Sequence, residues 1–470
     1  MHYPCRLVAA LLLGALAALP GHARPRLFVL SDIQNEPDDA QSLVRLLVHA
    51  NHYDLEGLIA TTSCWLRDRT AAWRMHEIVD AYAQVQANLD RHEPGFPAPA
   101  MLKGLIGEGV PHFGMTGVGA GHDSDGSARL IAAVDRNDPR PLWVSVWGGA
   151  NTLAQALWRV RQDRTPAELA AFVAKLRVYA ISDQDDSGPW IREQFPSLFY
   201  IVSPGFEEQG GGAYHYATWV GISGDAFHGR FDGPDFGLVN NDWVEANLRR
   251  DHGPLGAEYP LIEYMMEGDT PSWIHLFANG LGDSEHPDWG GWGGRYAYYT
   301  PATRPWFHQP ETRPIWTDVV DEVVVADGSA RTTNQATVWR WREAMQNEFA
   351  ARMDWTVKAP DEANHPPVAA LTHATRLQIA PGSLLPLDAS ASVDPDGDAL
   401  AYQWFIYREA GSFAGNAQID AATTAQATLR VPRAAYDRPG DLHVILAVTD
   451  TGEPALTRYQ RVIISVAEGR

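Results

Sequence analysis

An acidic loop stands directly after an apolar run near the start of the chain. Residues 27–30 are apolar, and four carboxylates then fall within eight positions, Asp32 to Asp39. Residues 40–49 follow with apolar side chains at helical spacing. The acids therefore lie between the carboxyl end of a predicted strand and the start of a predicted helix, where open α/β sheets bind their ligands.

Two interpretations of this loop are open. Asp38 and Asp39 could simply begin the helix, because acids in a first turn complement the helix dipole. Alternatively, the loop binds a cation, because crowded carboxylates raise each other's pKa values and no Lys or Arg lies between Arg26 and Arg45 to neutralise them. We favour the cation, and the oxygen donors favour Ca²⁺ or Mg²⁺ over zinc.

Residues 1–23 have the pattern of a secretory signal peptide. A short basic start is followed by a mostly apolar stretch, 7–20, and by the small residue Ala23 at the predicted cut. That stretch is shorter than the ~20 residues that span a bilayer. We therefore predict a periplasmic or secreted protein with no membrane contact after processing, in which Cys64 is the only cysteine and no intrachain disulfide forms.

Composition narrows the classes of partner. The net charge of -21 and the lack of a basic cluster argue against nucleic acids and anionic membrane surfaces. The 17 Trp and 16 Tyr residues supply flat apolar faces on which sugar rings can stack. A neutral ligand, either a small sugar or a polysaccharide, fits this composition best, and the sequence leaves homo-oligomer formation open.

Strands and helices alternate over the first part of the chain. Short apolar strands are predicted at 54–63, 141–147, 176–182 and 198–202, with helices between them that include one at 74–89. This alternation predicts an α/β domain at 24–358, with a mostly parallel sheet, flanking helices and the polar loops gathered on one edge. Residues 204–260 show no clear periodicity, and we predict a surface insertion that is a candidate lid over the site.

A Pro-rich linker at 359–367 precedes a second, all-β domain. Apolar runs between 368 and 470 have the spacing of an immunoglobulin-like sandwich. Its Asp-rich turn at 394–398 could bind Ca²⁺, but Asp, Pro and Gly are also ordinary turn residues, so a solvated turn is an equal alternative.

Two further loops carry candidate substrate-binding residues. Asp183 and Asp186 follow a predicted strand on the edge where ligands bind, although a solvated turn would look the same. Trp289 and Trp292 lie in a Gly-rich loop, where backbone can approach a ligand closely with aromatic rings beside it. The alternative for this second loop is a mobile surface segment.

Several motifs together resemble one family. The loop with Asp32 and the pair Asp38-Asp39 resembles the nucleoside hydrolase pattern, in which a strand ends in Asp-x-x-x-Asp-Asp before a helix, with two extra residues here. This longer form, together with the stretches 148–154, 267–273 and 291–296, is similar to the nucleoside-hydrolase-like family of exported bacterial proteins described as cellulose-binding. The resemblance covers nearly the whole chain, including the C-terminal β domain.

The resemblance implies a Ca²⁺ site with a catalytic base. The implied ligands are Asp32, Asp38, Asp39, Asp269 and a backbone carbonyl of Asn151 or a neighbour. Asp38 would also act as the general base, taking a proton from the water that attacks the anomeric carbon of a sugar. We further predict that Asn35 and Glu36, in the same loop, contact the substrate.

Two departures from the nucleoside hydrolases shape the predicted activity. Gly268 stands where those enzymes have a His that helps the base to leave, and residues 61–66 lack an obvious counterpart of their ribose-binding Asn. We therefore predict hydrolysis of a glycosidic bond in a furanoside or oligosaccharide rather than in a nucleoside, with His275 as an alternative acid. The competing hypothesis is a non-catalytic carbohydrate-binding protein on a hydrolase scaffold, with Trp289, Trp292 and the sandwich binding polysaccharide.

Overall fold

The computed structural model describes residues 23–205, 213–224, 235–325, 328–432 and 439–467. The predicted signal peptide, apart from Ala23, and parts of the predicted insertion at 204–260 lie outside the described residues. Within the described ranges, no helix combines the length and the apolar character needed to cross a membrane.

A central sheet of eight strands organises the first domain of the described chain. The strands are β1 (Arg26–Ser31), β2 (Asp54–Ala60), β3 (Ile106–Glu108), β4 (Leu142–Val146), β5 (Leu176–Ala180), β6 (Phe199–Val202), β7 (Tyr296–Tyr299) and β8 (Ile315–Asp318). Their order is β3-β2-β1-β4-β5-β6-β8-β7, and β7 alone runs antiparallel to its neighbour. The predicted α/β fold with a mostly parallel sheet is therefore confirmed.

Helices cover both faces of this sheet. They are α1 (Pro37–Val48), α2 (Ala72–Tyr82), α3 (Gln86–His92), α4 (Pro99–Leu105), α5 (Asp125–Asp135), α6 (Asn151–Asp163), α7 (Pro166–Ala174), α8 (Ser187–Gln194), α9 (Asn241–Val244), α10 (Gly253–Glu258), α11 (Pro271–Ile274), α12 (Ala336–Trp339) and α13 (Arg342–Asp354). Because side chains alternate along a strand, Leu27 and Val29 of β1 join one core with α1, α2 and α13, whereas Phe28 and Leu30 join another with α5 to α8. Both faces of β1 are buried, so its sequence is a continuous apolar run.

The strand order reverses between β1 and β4. On one side of this point the chain proceeds through β2 and β3, and on the other through β5 and β6. In open α/β sheets, ligands bind in the crevice that this reversal leaves at the carboxyl ends of the strands. The acidic loop after β1 and the turn at Gly148 after β4 both lie at this crevice.

One local prediction needs correction, and two local features were not predicted. The helix predicted at 74–89 is divided into α2 and α3, because the chain turns at 83–85. The described parts of 204–260 consist of short helices and single helical turns, including Tyr214–Tyr216 and Trp219–Ile222, which are too short to show a periodic pattern. A two-stranded hairpin of β9 (Asp321–Val324) and β10 (Ala330–Thr333) was not predicted.

The C-terminal domain consists of two mostly antiparallel sheets. Its strands are β11 (Arg376–Ile379), β12 (Leu384–Asp388), β13 (Ala401–Ile406), β14 (Gln418–Asp420), β15 (Gln426–Arg430), β16 (Gly440–Thr449) and β17 (Thr457–Val466). One sheet has the order β11-β17-β16-β13 and the other β12-β15-β14. Their inner faces enclose a core around Trp404 and Leu429, so the second domain is a β-sandwich as predicted.

The sandwich is fixed to the α/β domain by buried polar contacts. Arg461 of β17 donates to the carbonyl oxygens of Leu281 at 2.7 Å and Gly290 at 3.1 Å, and Arg458 forms an ion pair with buried Glu348 of α13 at 2.7 Å. In the predicted linker, the carbonyl oxygen of Asn364 accepts a hydrogen bond from Trp355 Nε1 at 2.9 Å. The linker is therefore an ordered, packed segment rather than a free spacer.

Candidate metal and catalytic site

Buried carboxylates converge where β1 ends. Asp38 and Asp39 begin α1, Asp269 lies just before α11, and oxygens of these three side chains lie within 4.8 Å of one another. Asp32, the first residue after β1, is also buried, and its charge acts on all three. The structure thus brings the four carboxylates of the predicted metal site together, although Asp269 is distant in sequence.

Burial and mutual repulsion raise the pKa values of all four acids. Loss of hydration raises the pKa of Asp32 to about 6, and loss of hydration together with the charge of Asp32 raises that of Asp38 to about 7. Loss of hydration and the charges of neighbouring acids, Asp32 for Asp39 and Asp38 for Asp269, also hold the pKa values of Asp39 and Asp269 well above their usual range. Without a counter-charge, the four adjacent carboxyls therefore cannot all ionise near neutral pH.

Two oxygens of the cluster lack a hydrogen-bond donor. Among the described residues, none donates to the buried Oδ2 of Asp32 or to the buried Oδ2 of Asp269. A buried acceptor without a partner is costly, and a bound cation would satisfy it. Because the convergent side chains offer only oxygen, the site fits Ca²⁺ or Mg²⁺ rather than zinc.

The acidic loop is held in shape by its own hydrogen bonds. Ser31 Oγ donates to Asp39 Oδ1 at 2.5 Å and accepts the N–H of Ile33 at 3.1 Å. The N–H of Asn35 donates to the carbonyl oxygen of Asp32 at 3.1 Å. Asn35 and Glu36 are half-buried in this loop, so a ligand at the cluster could reach the two residues predicted to contact substrate.

The absence of a side chain at Gly148 leaves room for the Asp32 carboxylate. A Cβ at this position would lie 2.5 Å from Asp32 Oδ1 and 2.6 Å from Asp32 Cγ. We expect Gly148→Ala to displace this carboxylate and to weaken Ca²⁺ binding at the cluster by about 10–100-fold, as other disturbances of ligand orientation do. Calorimetric titration measures this affinity. Gly104→Ala is the matched control, because a Cβ at Gly104 meets no atom within 4 Å. Equal Ca²⁺ affinities of the two variants would exclude Asp32 from the Ca²⁺ ligands.

The side chain of Asn151 has a structural role. Its Nδ2 donates to Thr62 Oγ1 at 3.0 Å and to the carbonyl oxygen of His112 at 2.7 Å. These bonds join the start of α6 to the loops after β2 and β3. The contribution of a backbone carbonyl of Asn151 or a neighbour to the metal site stays a prediction.

The acids after β5 have partners that the sequence did not indicate. Both carboxylate oxygens of buried Asp183 accept hydrogen bonds from Arg192, at 2.8 and 2.9 Å, so Asp183 forms a structural ion pair. Exposed Asp186 accepts the N–H of Met115 at 2.8 Å and fixes a neighbouring loop. Buried Asp185, between these two acids, lies nearer to the site, because its Oδ2 would be 2.3 Å from a Cβ at Gly149.

Trp289 and Trp292, in the Gly-rich loop, lie away from the acidic cluster. Trp292 is 2% exposed and packs on Phe277, so the prediction that its ring binds a ligand is contradicted. Trp289 stacks on His286, beside Arg461 of the sandwich, in a cavity that also includes Pro25, just before β1. Trp289 therefore lies near the amino end of β1, at the contact between the two domains.

Other aromatic residues stand beside the acids. A Cβ at Gly268 would be 2.7 Å from Trp219 Cζ3 and 2.9 Å from Asp38 Oδ2, so Trp219 occupies the space that a side chain at 268 would need. Tyr214 packs edge-on against Trp219, with ring centroids 5.1 Å apart, and its hydroxyl accepts a hydrogen bond from Trp65 Nε1 at 3.0 Å. This aromatic wall of Trp65, Tyr214 and Trp219 was not predicted, because Tyr214 and Trp219 lie in the segment without periodicity.

His275 does not have the surroundings of a catalytic acid. Its ring is buried between Trp143 and Tyr179, with centroid distances of 4.7 and 5.1 Å. Loss of hydration lowers the pKa of His275 to about 3, so the ring is neutral at physiological pH. The prediction of His275 as an alternative proton donor is therefore not supported by its position.

The raised pKa values provide a pH test of the predicted Ca²⁺ site. The raised pKa values stabilise the metal-free fold below about pH 4, and this contribution is lost as the pH rises through about 6 to 7, where Asp32 and Asp38 ionise. Because Ca²⁺ must displace these protons at pH 5 but not at pH 8, we expect the Ca²⁺-induced rise in Tm to be larger at pH 8. Scanning calorimetry measures the rise at each pH.

Asp269→Asn is the matched control for this pH effect. It removes one of the crowded charges and one proposed ligand, so the Ca²⁺-induced rises in Tm at pH 5 and pH 8 should become more alike. Equal rises in the unaltered protein would contradict proton displacement at this cluster.

Comparisons with known proteins agree with the fold. The family model described as cellulose-binding Sde182, nucleoside hydrolase-like domain, matches residues 26–296, and that described as cellulose-binding protein Sde0182, C-terminal domain, matches residues 384–466. No curated protein matches the chain.

Solved structures give the same relationship. A nucleoside hydrolase-related hypothetical protein from Saccharophagus degradans, associated with carbohydrate metabolism, is 36% identical, with 95% of this chain and 100% of that chain covered and a TM-score of 0.79. A PKD domain from the KIAA 1837 protein is 17% identical over 22% of this chain and 89% of its own, but its TM-score of 0.16 is too low to support a relationship. The chain belongs to the family described as cellulose-binding Sde182, nucleoside hydrolase-like.

Proposed function

We propose that this chain is an exported, Ca²⁺-dependent hydrolase of a glycosidic bond, acting on a furanoside, an oligosaccharide or a nucleoside-like substrate. The observation that carries the proposal is the position of Asp38 among three further buried acids at the sheet's ligand-binding crevice. Burial and the charge of Asp32 raise the pKa of Asp38 in the metal-free cluster, and a bound cation would keep this carboxylate ionised and able to accept a proton.

The four acids divide between two proposed tasks. Asp32, Asp39 and Asp269 would hold the ion, with Asp38 beside it. When bound, Ca²⁺ neutralises these carboxylates and eases deprotonation of water. Asp38 Oδ1 accepts the N–H of Asp39 at 2.9 Å, and this bond orients the carboxylate so that its Oδ2, beside Gly268, can take a proton from the attacking water.

The aromatic wall affects which leaving groups the site can accept. Trp219 fills the space at Gly268, the position at which nucleoside hydrolases place their proton-donating His. Its own Nε1 donates to Ser182 Oγ at 2.9 Å. We therefore expect substrates whose leaving group departs without protonation, such as aryl glycosides, to react faster than alkyl glycosides or nucleosides.

A carbohydrate-binding protein without turnover is the second candidate. The family description favours it, and so does a cavity of about 480 Å³ near the carboxyl end of β6. At this cavity the rings of Tyr216 and Trp306 stack in parallel, 4.8 Å apart, and Tyr216 is 56% exposed. Exposed aromatic faces of this kind can support sugar rings.

A substrate screen separates the two candidates. Nucleosides, aryl furanosides and plant oligosaccharides would be incubated with the protein, with Ca²⁺ or with a chelator, and released reducing sugar or free base would be measured. Turnover that is lost on chelation and restored by Ca²⁺ supports the hydrolase. No turnover on any of these substrates, together with cellulose binding that Tyr216→Ala abolishes, would support the binding protein instead.

A further inference from the structure

A second group of acids lies in the C-terminal sandwich, away from the site described above. Asp394, Asp396 and Asp398, in the turn between β12 and β13, each offer an oxygen, and these oxygens lie within 4.8 Å of one another. Asp394 Oδ1 accepts the N–H groups of Asp396 at 2.9 Å and Asp398 at 3.0 Å, so backbone hydrogen bonds set the shape of the turn. These bonds would form equally well in a solvated turn.

Buried oxygens beside the turn point to a ligand. Asp450 is 3% exposed, and its Oδ1 accepts hydrogen bonds from the N–H of Leu456 and from Asn364 Nδ2, at 2.9 and 3.1 Å. Within the described residues, however, no group donates to Asp450 Oδ2, to Asp394 Oδ2 or to Oδ1 of Asn364, which is 7% exposed. Three buried acceptors without donors are costly unless a cation satisfies them.

Charge and hydrogen bonds show that these groups lie near one another. The charge of Asp394 contributes to the raised pKa of Asp450, and Asn364 bonds directly to Asp450. Thr451, the next residue, accepts the N–H of Ala399 at 3.2 Å, which brings the 450 loop against the end of the Asp-rich turn. His365 Nδ1 lies 3.0 Å from Asp396 Oδ1 on the exposed side of the turn.

We propose that Asp394, Asp398 and Asp450, with the side-chain oxygen of Asn364, form a second, structural Ca²⁺ site. Carboxylate and amide oxygens are the donors that Ca²⁺ takes, and its variable coordination suits a set supplied by three separate segments. Zinc would require nitrogen or sulfur ligands that the unpaired oxygens do not offer.

The site would stabilise the contact between the two domains. Asn364 and His365 belong to the segment that joins them, and Trp355 at the end of α13 donates its Nε1 to the carbonyl oxygen of Asn364. The ring of His365 also lies against Trp355, with centroids 5.2 Å apart. A cation bound by Asn364 and Asp450 would therefore link the sandwich to the joining segment and, through it, to the α/β domain.

The stoichiometry of Ca²⁺ in the full mature chain tests this proposal. Calorimetric titration would extend to about 5 mM Ca²⁺, because extracellular Ca²⁺ modules bind at about 10⁻⁴–10⁻³ M. We expect two ions for the unaltered protein and one for Asp450→Asn. Asp269→Asn should also bind one ion, because it removes the other site. Asp420→Asn changes an exposed carboxylate of the same sandwich and should bind two.

Asp398→Asn provides a second variant in case Asp450→Asn does not fold. Its carboxylate is half-buried and accepts only a long contact from Thr451 Oγ1, at 3.5 Å, so the fold depends on it less. Loss of one ion in Asp398→Asn, with a smaller Ca²⁺-induced rise in Tm and unchanged circular dichroism, supports the site. Two ions bound by both variants, or a single ion that Asp269→Asn abolishes, would overturn it.

Discussion

Replacing Asp38 with asparagine should lower kcat by about 10²–10⁴-fold, the range that a positioned general base contributes. Asparagine has nearly the size of the carboxylate and can still accept the N–H of Asp39, but its amide cannot take a proton from water. The measurement is kcat for an aryl glycoside from the screen above, with Ca²⁺ at saturation.

A Ca²⁺ titration distinguishes the base from a ligand. Asp38 lies among the metal-binding acids, so its replacement could act by weakening Ca²⁺ binding. A weakened site is restored by more Ca²⁺, whereas a missing base is not. A kcat for Asp38→Asn that returns to the unaltered value at high Ca²⁺ would therefore contradict the base role. Asp163→Asn makes the same change at an exposed residue of α6 and should keep the full kcat.

The acidic loop could be predicted because the sequence patterns that define it lie next to one another in the chain. Asp32, Asp38 and Asp39 follow one apolar run and precede one helical pattern, and both elements form where expected. Asp269 could be connected with them only through the resemblance to a family, because no local pattern joins residues so far apart. Its convergence with Asp38 depends on the path of the whole sheet.

The errors at the site came from non-local packing. Asp183 looked available for a substrate because its ion-pair partner, Arg192, lies nine residues later in the sequence, on α8. Trp292 looked exposed because the neighbouring glycines suggested a surface loop. Trp219 could not be connected with Gly268 from the sequence, since that contact crosses from the insertion to the segment before α11. Charge pairing and burial are properties of the folded chain, and composition does not reveal them.

A single replacement in the buried Arg45–Glu267 pair should destabilise the protein by about 3–5 kcal/mol, because removing one partner leaves the other charge uncompensated. Both side chains are fully buried, and Arg45 Nε lies 2.5 Å from Glu267 Oε2. Glu267 also accepts hydrogen bonds from Tyr259 Oη at 2.6 Å and Thr270 Oγ1 at 3.0 Å. The pair therefore joins α1 to the segment that carries Asp269.

The two single variants should differ. In Arg45→Met, Glu267 can become neutral by binding a proton, because burial raises its pKa and the charge of Arg45 is the largest effect that lowers it. In Glu267→Gln, the guanidinium of Arg45 cannot lose its charge and stays buried beside Phe349, 4.2 Å from the ring centroid. We therefore expect Glu267→Gln to be the more destabilising change near neutral pH.

Urea unfolding of both single variants and of the double variant measures these effects. Because the double variant leaves no unpaired charge, its loss of unfolding free energy should be smaller than the sum of the single losses. Arg164→Met breaks a pair with Asp135 at the same N–O distance of 2.5 Å, but with both side chains partly exposed, and should cost only about 0–1 kcal/mol. Additive losses in the double variant, or single losses as small as that of Arg164→Met, would show that the buried pair does not hold the Asp269 segment against α1.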